Sequence, residues 1–237
     1  MPIWSKIATV CALGVLSITT AKANIVINGT RVIYDANQRE VTVHMTNEGD
    51  TPSLVQSWID AGDPNAPPES ADVPFMLVPP VARVNPRSAQ ALRIAFQGDP
   101  LPADREAVFY LNVLDVPPAP KGRQDNNYVQ LAIRSRIKLF YRPITLVGSP
   151  DDAADSVRWA RVGQKIRLYN SSAFYVTVNQ LVNAQQNSLS ADTGMVAPFS
   201  HYDFDLKPKA PLPDGGDIQI ITVNDYGGNV PRSIRHQ

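Results

Sequence analysis

The stretch Tyr128–Pro143 reads YVQLAIRSRIKLFYRP and decides the fold. Val129, Leu131 and Ile133 alternate with polar or small side chains, which is the period-two pattern of a strand that is buried on one face. Basic residues crowd the second half of the stretch before the closing proline. The pattern predicts one long β-strand over Tyr128–Tyr141, and such a strand can pair with another chain if it lies at a sheet edge.

Further short strand candidates precede this stretch, and turns rich in Gly, Pro, Asn and Asp separate them. The candidates are Ile25–Tyr34, Glu40–Thr46, Ser53–Ile59, Phe75–Val78, Ala91–Phe96 and Ala107–Leu114. With the long strand they make a set of short strands over roughly 120 residues, which is typical of one immunoglobulin-like sandwich. We therefore predict an N-terminal immunoglobulin-like domain over residues 24–146.

A second series of strands follows a predicted hinge or linker at Val147–Asp152. Its members are Ser156–Val162, Lys165–Asn170, Phe174–Leu181, Gly194–Val196, His201–Leu206 and Asp217–Asn224. No long segment carries a sustained helical period. The sequence predicts an all-β protein whose second, smaller β-sandwich covers residues 147–237.

The first 23 residues have the three parts of a cleaved secretory signal peptide. Lys6 supplies the basic part, and Ile7–Thr20 form an apolar segment that is too short to span a bilayer. Ala21–Ala23 provide a small-residue cleavage site. We therefore expect an exported mature chain that begins at Asn24.

The composition of the predicted mature chain excludes some classes of protein. Loss of Lys6 and Lys22 leaves the acidic residues in slight excess, which argues against a general nucleic-acid-binding protein. The single cysteine, Cys11, lies in the signal peptide, so no disulfide is expected and stability has to come from burial. We also expect no stable membrane insertion of the mature chain.

Four patches of sequence occur in a fixed order along the chain, namely Pro79–Pro86, Leu101–Pro117, Ile137–Pro143 and Asn224–Gly228. Together they resemble the periplasmic pilus (fimbrial) chaperones, which fold and deliver the subunits of surface fibres. Ala107 departs from the family pattern, where a hydroxyl residue or arginine is usual. The resemblance implies two immunoglobulin-like β-sandwich domains arranged as an L. The short, cysteine-free loop Ala119–Asn127 is similar to that of the short-loop subclass.

The resemblance also implies a role for the long strand. Pilus subunits of this family are incomplete sandwiches, and the chaperone lends them a strand to cover the open core, which is donor-strand complementation. The donor side chains that match are Val129, Leu131 and Ile133. The residues taken alone favour a plainer interpretation, in which these three pack into the chain's own core.

Two cations match the family's binding site for the C-terminal carboxylate of the subunit. They are Arg31 and Lys138, and a carboxylate is well served by two charge-assisted donors. Lys138 has the opposite parity to the donor side chains, so it faces the other side of the strand unless a bulge intervenes. The neighbouring Arg134 and Arg136 are expected to be solvated surface cations.

Three further charged residues, Glu106, Arg142 and Asp225, match family positions that form an ionic link between the two domains. The alternative is that they are exposed charges whose pairs contribute at most about 1 kcal/mol each.

An enzyme is not expected. The histidines His44, His201 and His236 are scattered, and the sequence carries no zinc-helix, nucleophile-elbow or phosphate-loop motif. His44 alternates with apolar neighbours and should face solvent. We therefore expect no catalytic residues, no cofactor and no metal.

The function that these observations predict is that of a periplasmic chaperone. It would bind, fold and cap fimbrial subunits and deliver them to an outer-membrane usher, without nucleic acid as a partner. An exposed apolar edge also favours self-association of the unloaded protein. The alternative is a secreted two-domain adhesin or carbohydrate-binding module, although such a protein has no need for an alternating apolar strand that ends in cations.

Overall fold

The computed structural model describes residues 24–70, 72–98, 100–119, 129–183, 185, 187–190, 192–208 and 216–237. The predicted signal peptide at residues 1–23 lies outside these residues, as do Tyr128 and most of the predicted loop Ala119–Asn127. Within the described ranges, no helix has both the length and the apolar character needed to cross a bilayer.

The N-terminal domain is built from two sheets. Its strands are β1 (Ile25–Ile27), β2 (Arg31–Asp35), β3 (Val41–Asn47), β4 (Ser53–Asp60), β5 (Phe75–Val78), β6 (Val81–Val84), β7 (Ala89–Phe96), β8 (Ala107–Val116) and β9 (Ile133–Arg142). One sheet has the order β1-β3-β7-β5 and the other the order β2-β9-β8-β4-β6. Strands β2 and β9 run parallel, whereas the other described neighbours in both sheets are antiparallel.

Side-chain alternation buries the facing surfaces of the two sheets. On β3, Val43 and Met45 are buried while Thr42 and His44 are exposed, as predicted for His44. Leu139 of β9 joins the same hydrophobic cluster, so the second half of β9 is part of the core. The period-two pattern of the sequence therefore corresponds to a sandwich with one apolar interior.

The chain crosses from one sheet to the other between β1 and β2. Gly29 lies at this corner with φ of 117°, a backbone angle that glycine adopts without the strain of a Cβ atom. The crossing places β2 at the edge of the second sheet, with Arg31 as its first residue.

The C-terminal domain forms one continuous sheet that encloses a second core. It contains helix α1 (Pro150–Ser156) and strands β10 (Arg158–Val162), β11 (Lys165–Asn170), β12 (Val176–Val182), β13 (Gly194–Val196), β14 (Ser200–Asp205), β15 (Ile218–Val223) and β16 (Asn229–His236). The strand order is β13-β12-β15-β16-β10-β11-β14. Trp159, Leu168 and Phe204 are among the buried side chains of its hydrophobic cluster.

The predicted hinge at Val147–Asp152 is in part a helix. Ser149 caps α1, because its Oγ accepts a hydrogen bond from the backbone N–H of Asp152 at 3.2 Å, and Pro150 occupies the first turn. A serine followed by proline and two aspartates is a helix start signal. The linker interpretation was therefore wrong from Pro150 onward. It considered only that proline and aspartate favour turns, although both are also common at the start of a helix.

Two strands, β6 and β16, were missed by the sequence interpretation. Pro231 lies within β16, and a proline argues against a strand because it has no N–H for the ladder. The structure nevertheless pairs β16 with both β15 and β10. The all-β prediction of two sandwich domains is confirmed.

Candidate functional site

Two cations lie side by side where β2 and β9 pair. The parallel register makes Arg31 the partner of Lys138. Alternation places both side chains on the outer face of the sheet, opposite the buried Val32 and Leu139. Residues that are far apart in sequence become neighbours because β2 and β9 run in the same direction.

A cleft of ≈ 470 Å³ opens over these cations, between the two domains. Its walls are formed by Thr30, Arg31, Tyr110 and Lys138 of the N-terminal domain and by Thr177, Val178, Asn179, Thr193, Gly194, Met195 and Val223 of the C-terminal domain. Arg31 also donates from Nη1 to the carbonyl oxygen of Val223 at 2.9 Å. This bond crosses the domain boundary and fixes the guanidinium at the floor of the cleft.

The cations of the cleft form no salt bridge with a described carboxylate. Within the described ranges, no carboxylate lies within ion-pairing distance of Arg31 or Lys138. Burial lowers the pKa of Lys138, and repulsion by Arg31 lowers it further. Burial also lowers the pKa of Arg31, although the charge of Asp225 acts in the opposite direction.

The Nε of Arg31 is buried and has no hydrogen-bond partner among the described residues. An unused donor beside two desolvated like charges could accept an anion, because a carboxylate would replace the lost solvation of both cations.

Among the described residues, strand β9 is paired on both sides only from Lys138 to Tyr141. Strand β8 pairs with it from Ile133 to Tyr141, whereas β2 pairs only with Lys138–Arg142. In the described part of the chain, the segment Ile133–Ile137 therefore has a free edge on the side away from β8. An added strand can pair with that edge, and it would end against Arg31, where β2 begins.

The three predicted donor side chains lie at and before the start of β9. Val129, Leu131 and Ile133 are 86%, 71% and 48% exposed, so they contribute little to the chain's own core. Strand β9 begins at Ile133, and the predicted start at Tyr128 was too early for the chain alone. Segment Val129–Ala132 has no strand pairing among the described residues, and a strand without a partner has no ladder to define it.

The two faces of β9 differ in chemistry. Ile133 shares its face with Ile137 and Leu139, which pack in or against the N-terminal core. Lys138 and Phe140 occupy the opposite face, because the β8–β9 register is continuous through this segment. A strand added at the free edge would meet apolar side chains on one face and cations on the other.

The residues Glu106, Arg142 and Asp225 form one ion-pair network across the domain boundary. Arg142 donates from Nε to Glu106 Oε1 at 2.7 Å, and from Nη1 and Nη2 to the two carboxylate oxygens of Asp225 at 2.8 and 3.1 Å. Glu106 Oε2 accepts from the backbone N–H of Tyr175 at 2.7 Å, and the Glu106 N–H donates to the carbonyl of Ala173 at 2.9 Å.

This network is buried at its centre. The Glu106 side chain is 2% exposed, and burial raises its pKa although Arg142 and the Tyr175 N–H act to lower it. Burial works to lower the pKa of Arg142, but its bonds to Asp225 and Glu106 raise it overall. A buried ion pair of this kind is costly to break, because one partner is left as an uncompensated charge.

The expectation that Arg134 and Arg136 are solvated cations is wrong for Arg136. Its guanidinium binds Asp60, whose side chain is 2% exposed, with N···O distances of 2.6 and 3.0 Å. Arg134 is exposed and donates to the carbonyl oxygen of Pro64. The sequence offered no signal for the first pair, because Asp60 and Arg136 meet only through the β4-β8-β9 sheet order.

The histidines do not gather into a site in the described structure. His236 packs edge-on against Trp159 at 4.7 Å, and His201 lies 6.0 Å from the ring of Tyr169. Among the described residues, no cluster of three or more His, Cys, Asp or Glu side chains is arranged to hold a metal ion.

Comparison with protein-family models gives two matches that together span most of the chain. Residues 24–147 match the model of the pili and flagellar-assembly chaperone, PapD N-terminal domain. Residues 152–234 match the model of the pili assembly chaperone PapD, C-terminal domain. The chain is also similar to the chaperone protein HifB of Haemophilus influenzae, with 43% identity over 214 residues that cover 89% of this chain and 87% of HifB.

Two solved structures that contain chaperones have a fold similar to that of this chain. The crystal structure of the Pseudomonas aeruginosa CupB2 chaperone aligns with a TM-score of 0.75 and 37% identity, covering 90% of this chain and all of that one. A chain from the structure of the Salmonella enterica SafA pilin in complex with the SafB chaperone aligns with a TM-score of 0.78 and 28% identity, covering 92% of this chain and 98% of the other.

Proposed function

The chain belongs to the family of PapD-like pilus-assembly chaperones, and we propose that it captures fimbrial subunits in the periplasm by donor-strand complementation. The observation that carries the proposal is that the free edge of β9 ends at the paired cations Arg31 and Lys138. The predicted signal peptide supports export, and the SafA–SafB complex supports a pilus subunit as the ligand. The family favours this function over an enzyme and over an adhesin or carbohydrate-binding module.

The geometry favours one direction for the captured strand. Strand β2 already occupies the edge of β9 from Lys138 onward, so an added strand has to stop there. If the added strand runs parallel to β9, its C-terminal carboxylate meets Arg31 and Lys138. If it runs antiparallel, its other end meets two cations with no carboxylate to offer them. Parallel pairing of the subunit's C-terminal strand is therefore the arrangement that the charges stabilise.

The donor side chains fill the open core of the subunit. Val129, Leu131 and Ile133 stand at alternate positions and project to one face when the segment is extended. Fully burying an apolar side chain of this size contributes roughly 1.5–3 kcal/mol before the cost of ordering the segment. On capture, the segment Val129–Ala132 gains the strand partner that it lacks in the free chain.

The carboxylate anchor sets the register of the pairing. Backbone hydrogen bonds alone allow a strand to slip by two residues, whereas a terminus fixed at Arg31 and Lys138 allows one position. Hydrogen bonds to charged groups contribute about 1.5–3 kcal/mol each, so the anchor adds affinity as well as register.

The network of Glu106, Arg142 and Asp225 holds the two walls of the cleft in place. Arg142 belongs to the same strand as Lys138, while Asp225 belongs to the C-terminal domain. We assign to these three residues the role of an ionic link that fixes the angle between the domains. Delivery of loaded subunits to an outer-membrane usher completes the proposal and rests on family membership.

The test is a periplasmic pull-down of the tagged wild type beside Arg31→Ala and Lys138→Ala, with mass spectrometry of the proteins that co-purify. Small β-rich subunits bound to wild type and lost from both variants would support the chaperone function and its anchor. Subunits retained by both variants would remove the anchor and leave the chaperone. No subunit on wild type, in cells shown to make the fibre, would overturn the function itself.

A further inference from the structure

A buried carboxylate lies two strands away from β9 in the same sheet. Asp60 ends β4, and its oxygens accept hydrogen bonds from Arg136 at 2.6 and 3.0 Å, from Asn112 Nδ2 at 2.7 Å and from the Gly62 N–H at 2.7 Å. Burial acts to raise the pKa of Asp60, but these donors outweigh it and lower the pKa. Asp60 therefore stays ionised and binds Arg136 through two hydrogen bonds. This bidentate pair fixes the orientation of the guanidinium more tightly than one hydrogen bond would.

The supported guanidinium stacks on an aromatic ring. The Cζ atom of Arg136 lies 3.6 Å from the ring centroid of Tyr110, which is face contact. Arg31 over Phe140 and Arg142 over Phe174 are looser, at 5.9 and 5.6 Å. Arg136 therefore limits the positions open to the Tyr110 ring far more than the other cations limit their rings.

The stacked ring belongs to the cleft. Tyr110 is the direct cross-strand partner of Lys138, and both residues line the cleft above Arg31. Partners in a strand pair have Cβ atoms about 4.5–5.5 Å apart, so Tyr110 and Lys138 are near neighbours on the same face of the sheet. Asp60 thus binds Arg136, Arg136 stacks on Tyr110, and Tyr110 is the cross-strand neighbour of Lys138.

We infer that Arg136, held by Asp60, is a positioning residue for the carboxylate anchor, acting through the ring of Tyr110. The inference rests on the proposed function, because the anchor is its object. It gives a reason for the placement of this pair. Among the described residues, Ile133–Ile137 have strand pairing on one side only, so side-chain contacts have to hold the outer face of β9 in a fixed conformation. Lys138 then meets an incoming carboxylate in one rotamer instead of several.

The experiment uses two synthetic peptides that differ in one group. Both reproduce the C-terminal strand of a subunit that co-purifies with the wild type, one with a free carboxylate and the other with a C-terminal carboxamide. Binding to the mature chaperone is measured by calorimetry for wild type, Arg136→Gln and Asp60→Asn. Arg134→Gln is the matched control, because it removes a cation from the same face of β9 that contacts only a loop carbonyl.

We expect Arg136→Gln to weaken binding of the carboxylate peptide by roughly tenfold and to leave the carboxamide peptide unchanged. Arg134→Gln should leave the affinity for both peptides unchanged. Arg136→Lys should lose less affinity for the carboxylate peptide than Arg136→Gln, because lysine keeps the charge but lacks the planar guanidinium that stacks on Tyr110. Asp60→Asn should show the same selective loss of affinity for the carboxylate peptide, provided that thermal unfolding shows this variant to be folded. If the variant is unfolded, the test rests on Arg136→Gln alone.

Two results would overturn the inference while leaving the proposed function intact. One is an equal loss of affinity for both peptides in Arg136→Gln, which would mean that Arg136 stabilises the edge of β9 in general and not the carboxylate anchor. The other is no loss at all. A wild type that binds both peptides equally would overturn the carboxylate anchor, and this inference with it.

Discussion

The two halves of β9 have the same backbone conformation and opposite surroundings. The half from Lys138 to Arg142 lies between β2 and β8, and its Leu139 is buried in the N-terminal core. Among the described residues, the half from Ile133 to Ile137 pairs with β8 alone, and the apolar side chains that lead into it are exposed. The difference leaves one end of the strand anchored in its own domain and the other end, among the described residues, with a strand partner on one side only.

This division also separates the energetic roles of the charged residues. Arg142, in the anchored half, is matched by two carboxylates, whereas Lys138, where the halves meet, has Arg31 as its neighbour and no carboxylate within ion-pairing distance among the described residues. The first arrangement stabilises the folded chain. In the second arrangement Arg31 and Lys138 repel each other, and a bound anion would relieve this repulsion.

The largest effect is expected from breaking the anchored half. Arg142→Met removes the partner of buried Glu106 and should lower the free energy of unfolding by roughly 3–5 kcal/mol. Arg134→Met, in the free half, should change it by less than about 0.5 kcal/mol. Urea unfolding followed by circular dichroism measures the free energy of unfolding of both variants. Similar losses of stability in the two variants would contradict the proposed difference between the halves of β9.

The next effect concerns capture by the free half. Leu131→Glu would place a carboxylate in the apolar groove of the subunit and should weaken capture by roughly 100-fold or more, with the fold intact. Met76→Glu is the matched control, since Met76 is also exposed and lies on an edge strand. Co-purification of subunits with each variant gives the answer, and normal capture by Leu131→Glu would remove the donor-strand assignment.

A smaller effect is expected from pH at the junction. Lys138 has a pKa below the ordinary 10.5, and a bound carboxylate would raise it. Affinity for the subunit is therefore complete below the pKa of the free chain and falls, by up to about tenfold per pH unit, as pH rises from that value towards the pKa of the complex. Affinity measured from neutral to alkaline pH tests this. Lys138→Met should lack this pH dependence, and an identical profile in the variant would contradict it.

The smallest effect is a gain in stability. Lys138→Met removes a half-buried cation that repels Arg31, so the free energy of unfolding of the empty chaperone should rise by about 1 kcal/mol while subunit capture falls. Thermal unfolding of the two proteins without subunit measures the difference. A clear loss of stability in the variant would indicate that Lys138 has a stabilising partner in the free chain.

The sequence predicted those features that follow from local pattern. Alternation identified most strands, such as Lys165–Asn170 and Phe75–Val78 with their observed bounds, because each buries one face. The cations Arg31 and Lys138 were identified through family resemblance, and no local pattern links them. Their contact depends on the parallel pairing of β2 with β9, which is a property of the whole sheet.

Other features depend on chain topology and could not be predicted from the sequence. The buried pair Asp60–Arg136 forms because β4 and β9 lie on either side of β8. Most arginines are exposed, so the sequence alone predicted a solvated side chain for Arg136. Strand β16 was missed because Pro231 contradicts local strand preference, although its neighbours supply pairing on both sides. The start of β9 was placed too early because Val129–Ala132 have no partner strand among the described residues.

The central claim is that a subunit strand pairs with the free half of β9 in the parallel direction. The predicted mature chain has no cysteine, since Cys11 lies in the predicted signal peptide, so single cysteines can be introduced at Ile133 and Ile137. Each variant is loaded with a subunit that carries one cysteine near its C-terminus, and disulfide formation is scored. Ile137→Cys should pair with the position nearest the C-terminus, and Ile133→Cys with one about four residues earlier. The reverse order, or no disulfide at either position, would contradict the account.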